Sequence, residues 1–359
     1  MLDPYRLLRP WLHRLDPEDA HELTLRALES GLVPGQPVDD DPILATTLFG
    51  RSLPNPIGLA AGFDKNGRVY DRMGRQGFGF VEVGGVTPRP QAGNPRPRVF
   101  RLRADGAVIN RMGFPNRGAE ALEARLRLAK RGPLRALGIN LASNADSADP
   151  AADFVGLAER FAVYADYLVL DVSCPNTANG QVFLDPARLA DLLAQLAAAC
   201  WPPERPALVA KLAPDVDEAL LERLVATLLA GRIEGIVVAN TTRARPAGLH
   251  GPAAAEAGGL SGRPLFAPST ALLAQVRALT GGSVPLIGVG GIASGADAYA
   301  KVRAGASAVQ LYTGLIYEGP ALVTRIKREL AALLRRDGFA SVAQAAAAPL
   351  GTAASAGVL

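Results

Sequence analysis

Short apolar runs recur along this chain from residue 57 onward, and amphipathic stretches separate them. The runs cover residues 57–61, 80–83, 137–141, 167–172, 207–212, 235–239, 285–289 and 308–311. Between them, residues 116–130, 186–199, 217–230, 268–279 and 295–304 place apolar side chains at helical spacing. Nearly continuous apolar strands alternating with helices predict a parallel sheet covered on both faces. Eight such units favour a closed (β/α)8 barrel, a TIM barrel of the α/β class, over an open doubly wound sheet. The barrel is expected over residues 43–337.

The pattern before the barrel is different. Leu7, Leu8, Trp11, Leu12 and Leu15 fall at helical spacing, with arginines between them. Asp16 followed by Pro17 is a strong helix start, a capping carboxylate and then a proline in the first turn. The second helix carries Leu23, Leu25 and Leu28, and Gly31 suits its end. Residues 1–35 are therefore expected to form a two-helix N-terminal extension, and the Pro- and Asp-rich residues 34–42 a linker. Residues 343–359 read as a low-complexity tail.

Chemistry in such a barrel sits where the strands end. The expected ends read AGFDKNG, EVGGVTPRP, NLASN, DVSCPNT, KLAPD, NTT, GVGGI and YTG. The last three strand-to-helix regions hold GGLSGRPL (258–265), GVGG (288–291) and Tyr312–Thr313–Gly314. Glycines there let backbone N–H groups approach a phosphate closely. A dinucleotide-fold reading of GVGGIASG is weak, because the motif follows the seventh strand and no acidic residue follows at the right distance.

Only five lysines stand against more than thirty arginines, and Lys65 and Lys211 both fall at strand ends. Either could hold positive charge beside a flavin edge or a substrate carboxylate, or pair with a core carboxylate. Cys174 ends an apolar strand, where a thiolate could act as a general base or a thiol could simply be buried. Asn110, Asn176 and Asn240 converge on one barrel mouth. An asparagine amide donates and accepts together, which suits a ring amide or imide.

Composition narrows the partners. The 359 residues carry a net charge of +4, with no run of five like charges, so nucleic acid is not the expected partner. The mildly basic balance suits an anionic cofactor or an anionic membrane face. Two cysteines, three histidines and no ligand-spaced motif argue against a protein-held metal. The first residues lack the apolar core of a signal peptide, and no apolar run reaches the roughly 18 residues that a membrane span needs.

These motifs resemble dihydroorotate dehydrogenase of class 2, the membrane-associated, quinone-linked type. The matching segments are LDPEDAHELTLRAL, AAGFDKNG, EVGGVTPRPQAGNPRPRVFRL, INRMGF, SCPNT, GGLSGRPL and IGVGGI, over roughly residues 4–335. The resemblance implies FMN held by Ala61, Gly62, Asn140, Asp171, Lys211, Gly262, Gly291, Tyr312 and Thr313. It implies a dihydroorotate-like substrate held by Lys65, Asn110, Arg111, Met112, Gly113, Phe114, Asn176, Asn240 and Thr241. Cys174 falls at the catalytic base. A quinone would meet the arm, which would rest peripherally on the cytoplasmic side of the cell inner membrane. The oligomeric state stays open.

The chain departs from the family pattern at several places. The base is usually serine in class 2 and cysteine in class 1. Asp171 replaces an asparagine, Gly85 and Ala239 replace threonines, and Ala145 replaces a lysine. Two rivals follow: an FMN barrel acting on a different ring or enone, and a non-catalytic binding barrel.

Overall fold

The computed structural model describes residues 4–36, 40–128, 132, 134–173, 176, 179–202 and 204–349. Eight parallel strands close into a barrel in chain order. They are β1 (Ile57–Leu59), β2 (Phe80–Val86), β3 (Ala136–Leu141), β4 (Tyr167–Leu170), β5 (Ala207–Leu212), β6 (Gly235–Val238), β7 (Leu286–Val289) and β8 (Ala308–Leu311). Each pairs with the next, and Val309 opposite Ile57 closes the ring. All eight expected strands form, because a strand buried on both faces needs apolar side chains on both.

Helices cover the outside, and several start the same way. Asp16, Asp149 and Asp185 each precede a proline and accept hydrogen bonds from first-turn amides. The helix Pro150–Phe161 was absent from the expected set although it begins with that signal. The arm forms α1 (Pro4–Leu12) and α2 (Pro17–Glu29). Ala20, Leu25 and Leu28 of α2 are buried, while Leu7, Leu8 and Trp11 of α1 are exposed, Trp11 to 66%.

Two small sheets close the barrel ends. At the bottom, the hairpin of Thr46–Leu48 and Arg51–Leu53 inserts Leu48, Leu53 and Phe49 among Phe80, Tyr167, Val209, Val237 and Ile287. At the site end, Gly259–Gly262, Ala107–Asn110 and Val99–Leu102 form an antiparallel sheet. Neither small sheet is among the expected elements, and residues 258–265 are expected only as a strand-to-helix region. At the start of the low-complexity tail, the helix Val342–Ala347 buries Val342 and Ala345. Residues 350–359 lie outside the described residues.

Candidate active site

The two-residue period of a strand explains how polar groups reach the barrel interior. Phe80, Tyr167, Val209 and Ala308 belong to the apolar layer at the bottom. Two residues further along their strands, Glu82, Lys211 and Gln310 face the same interior, as do Asn140 and, four residues beyond Tyr167, Asp171. Glu82 is fully buried and accepts hydrogen bonds from Asn140 Nδ2 at 3.0 Å and Gln310 Nε2 at 2.7 Å. Asn140 Oδ1 is buried and has no hydrogen-bond partner among the described residues. Glu82 and Gln310 went unnoticed in the sequence, although a lone polar residue inside an apolar run was the available signal.

Above this layer lies a cavity of about 1180 Å³ that runs from the strand ends to the inner faces of α1 and α2. Ala61, Gly62 and Lys65 line it after β1, and Asn140, Asp171 and Lys211 line it from β3, β4 and β5. Asn240 and Thr241 follow β6, Gly291 follows β7, and Tyr312 and Thr313 follow β8. Asn110, Met112, Gly113, Phe114, Asn176 and Gly262 complete the wall. His21, Leu25, Leu28 and Phe63 line the arm end.

Arg111 departs from the expectation. Its guanidinium turns outward, pairs with Glu256 at 2.7 Å and stacks over Phe100 at 4.7 Å. Alternation along an extended segment sends Asn110 and Met112 inward and their neighbour out. Cys174 lies outside the described residues.

The charged groups are enclosed. Lys65 Nζ donates to the Gly62 carbonyl at 2.6 Å. Burial, with the positive Arg98 nearby, pushes its ammonium down to about 8, against the pull of Glu18. Asp171 is only 7% exposed and accepts from Asn240 Nδ2 at 3.0 Å. Burial raises its carboxyl above the usual range, Glu82 adds to this, and the Lys211 ammonium opposes it. Burial also pushes the Tyr312 phenol up to about 12 and His21 down to about 4. His21 packs edge-on to Phe63, whose ring meets Tyr312 at 5.6 Å.

Glycine shapes a cradle on the β7–β8 side. A Cβ on Gly262 would meet the Gly106 carbonyl at 2.3 Å, and one on Gly291 would meet Phe266 Cβ at 2.4 Å. Thr313 Oγ1 donates to Ser261 Oγ at 2.9 Å beside them. The glycines let these segments pack backbone to backbone, and Gly262, Gly290, Gly291 and Thr313 line the cavity there, an arrangement that suits a phosphate. The partnerless Asn140 amide oxygen suits an N–H on a ring lying over the polar layer. The residues present therefore fit FMN.

A closed barrel with one enclosed, phosphate-ready and charge-bearing mouth is the architecture of a cofactor-using barrel enzyme. The family model for dihydroorotate dehydrogenase matches residues 43–334. A dihydroorotate dehydrogenase (quinone) of Rhodospirillum rubrum is 52% identical over 352 residues, covering 97% of this chain and 95% of that protein. The mitochondrial dihydroorotate dehydrogenase (quinone) of Mus musculus is 46% identical, covering 94% of this chain and 88% of its own. The crystal structure of an Eimeria tenella dihydroorotate dehydrogenase in complex with ferulenol superposes with a TM-score of 0.87 at 37% identity, covering 92% of this chain and 94% of that one. The chain belongs to the dihydroorotate dehydrogenase family, on its class 2, quinone-linked branch.

Proposed function

We propose that this protein oxidises dihydroorotate to orotate and passes the electrons to a quinone, with FMN seated across the strand ends. The observation that carries this reading is one continuous cavity, polar at the barrel mouth and apolar under the arm. FMN, when bound, supplies the two-electron acceptor of the reaction.

The protein's own residues divide the remaining work. Lys65 offers an ammonium to the substrate carboxylate. Asn110, Asn176, Asn240 and Thr241 offer paired donors and acceptors to the ring, while Met112, Gly113 and Phe114 wall it in. Cys174 removes the proton at C5 as thiolate. Lys211 would offer its ammonium to the flavin ring. Ala61, Gly62, Gly262, Gly291, Tyr312 and Thr313 would hold the cofactor, and Asn140 and Asp171 would face its ring.

The arm delivers the second substrate. Leu7, Leu8 and Trp11 of α1 are exposed, Leu8 and Trp11 where α1 borders the cavity, and no helix among the described residues is long and apolar enough to cross a membrane. An amphipathic pair with an apolar outer face lies in a membrane interface rather than across it. The reading is thus of a peripheral protein on the cytoplasmic side of the inner membrane that draws quinone through the arm.

Steady-state assay of the full chain tests the proposal. Dihydroorotate and a short-chain ubiquinone should yield orotate and quinol in equal amounts. Absence of orotate with every quinone tried overturns it. Asp171 favours one alternative, an FMN enzyme for a different ring or enone, because a carboxyl group lines a site meant for an anion. Turnover of a neutral cyclic enone in place of dihydroorotate supports that alternative.

A further inference from the structure

Lys301 lies on the helix Gly295–Arg303 and is fully buried, with 0% exposure. Its ammonium donates to Ser269 Oγ at 2.8 Å and to Thr270 Oγ1 at 3.0 Å, near the start of the helix Phe266–Thr280. It also sits 5.3 Å from the centroid of the Phe266 ring. Among the described residues no ion pair joins it to a carboxylate. Asp297, four residues earlier on the same helix, acts on it electrostatically and accepts from the Ala293 N–H at 2.9 Å. A buried ammonium with neutral partners alone is costly. Beside the positive end of a fifteen-residue helix it is costlier still. Two positive features stacked in the interior call for an anion next to them.

The same contacts lead to the glycine turn. Ser269 Oγ reaches the Gly290 carbonyl at 3.3 Å. A Cβ on Gly290 would meet Ser269 Oγ at 2.8 Å, and one on Gly291 would meet the Phe266 backbone nitrogen at 2.6 Å. The Lys301 stem packs under the strand that feeds the turn, its Cδ 3.0 Å from where a Gly288 Cβ would stand. Ammonium, hydroxyls and helix start therefore stack behind the glycine turn, whose Gly290 and Gly291 line the cavity.

We propose that Lys301 is a positioning residue for the flavin phosphate, its buried charge balanced by the phosphate that the Gly290–Gly291 turn receives. This rests on the FMN reading above. The ammonium holds the first turns of Phe266–Thr280 against the glycines and adds a fixed positive potential behind them. Burial pushes Lys301 down to about 7, opposed by Asp297. A phosphate arriving beside it pulls it back up, and by linkage the charged lysine tightens the phosphate equally.

The test compares FMN with riboflavin, which carries the same ring system and lacks the phosphate. Full-length chain freed of flavin is titrated with each, following flavin fluorescence, as wild type and as Lys301→Met. The expected result is FMN affinity weakened by about tenfold or more, as for two unit charges separated by more than contact distance at an effective dielectric near ~20. Riboflavin affinity should stay within about twofold, since no charge is involved. Equal losses for both flavins, or no loss for either, overturn the proposal, the first by showing a packing role. If the variant does not fold, wild type labelled with ¹⁵N-lysine decides. The chain has only five lysines, so the Lys301 signal can be followed. Its titration midpoint should rise with FMN and not with riboflavin, and an unmoved midpoint overturns the proposal. Wild type that binds neither flavin overturns the functional reading and this inference with it. Wild type that binds FMN while Lys301→Met behaves identically overturns the inference alone.

Discussion

Asn240 donates to Asp171 across 3.0 Å and so ties the segment after β6 to the end of β4 inside the cavity. The amide and the carboxyl share one face of the proposed substrate site, and the state of that carboxyl sets what the site accepts. Burial and Glu82 raise Asp171, so its neutral form persists to higher pH than for an exposed acid. A neutral carboxyl donates and accepts as an amide does, and an ionised one repels an anion. KM for dihydroorotate should therefore rise with pH as Asp171 ionises. Asp171→Asn should remove that rise and lower KM by up to about tenfold, the scale of one like-charge contact. Stability has the same sign. A raised acid contributes stability below the ordinary carboxylate range and loses it as pH climbs through the raised value, so Asp171→Asn should also gain most against urea on the alkaline side. KM and unfolding midpoints measured across pH check both.

Lys65 titrates on the other limb. Its ammonium is pushed down to about 8, so charge is lost above that pH. Binding of an anionic substrate should weaken as pH rises past it. Lys65→Met should raise KM about thirtyfold, the loss of one charge-assisted contact of ~2 kcal/mol, and should abolish this alkaline limb. A KM–pH profile of the variant that keeps the limb would assign it to another group.

The arm is fastened by charge. Arg68 reaches Glu22 and Glu29, each at 2.6 Å, and holds both carboxyls below their ordinary range. Such acids contribute stability above the ordinary glutamate value and lose it as pH falls through the lowered one. Screening of the partly exposed glutamates limits the contribution to about 1 kcal/mol. Arg68→Met should speed hydrogen exchange across residues 17–29 and raise KM for quinone. Reduction by dihydroorotate under single-turnover conditions should stay within about twofold of wild type.

Trp11 and Leu7 are exposed to 66% and 69% on α1. Burying such side chains in an interface contributes ~1.5–3 kcal/mol each. Trp11→Glu should reduce sedimentation with anionic vesicles by about tenfold or more. It should leave turnover with a water-soluble acceptor unchanged.

The barrel was legible because its strands are buried on both faces, so each shows as an apolar block such as LVAKL. The antiparallel sheet over the mouth was not. Its strands have four residues each, and Gly259–Gly262 pairs with Ala107–Asn110 across about 150 residues of chain, a distance no local pattern reports. The glycine cradle and Lys65 were visible from their place at strand ends. Arg111 was misplaced because a motif gives neighbours but not the side each one faces. Lys301 passed as an ordinary helix residue. Its spacing is helical, and only the tertiary packing reveals that its buried ammonium donates to two hydroxyls.

The most direct measurement mixes the purified protein with dihydroorotate in the absence of oxygen and quinone and records the visible spectrum. The account predicts a yellow protein whose flavin absorbance falls on mixing and returns when quinone is added, with Cys174→Ala slowing the fall at least about a hundredfold. A colourless protein that takes up no FMN, or a flavin band that dihydroorotate leaves unchanged, would contradict it.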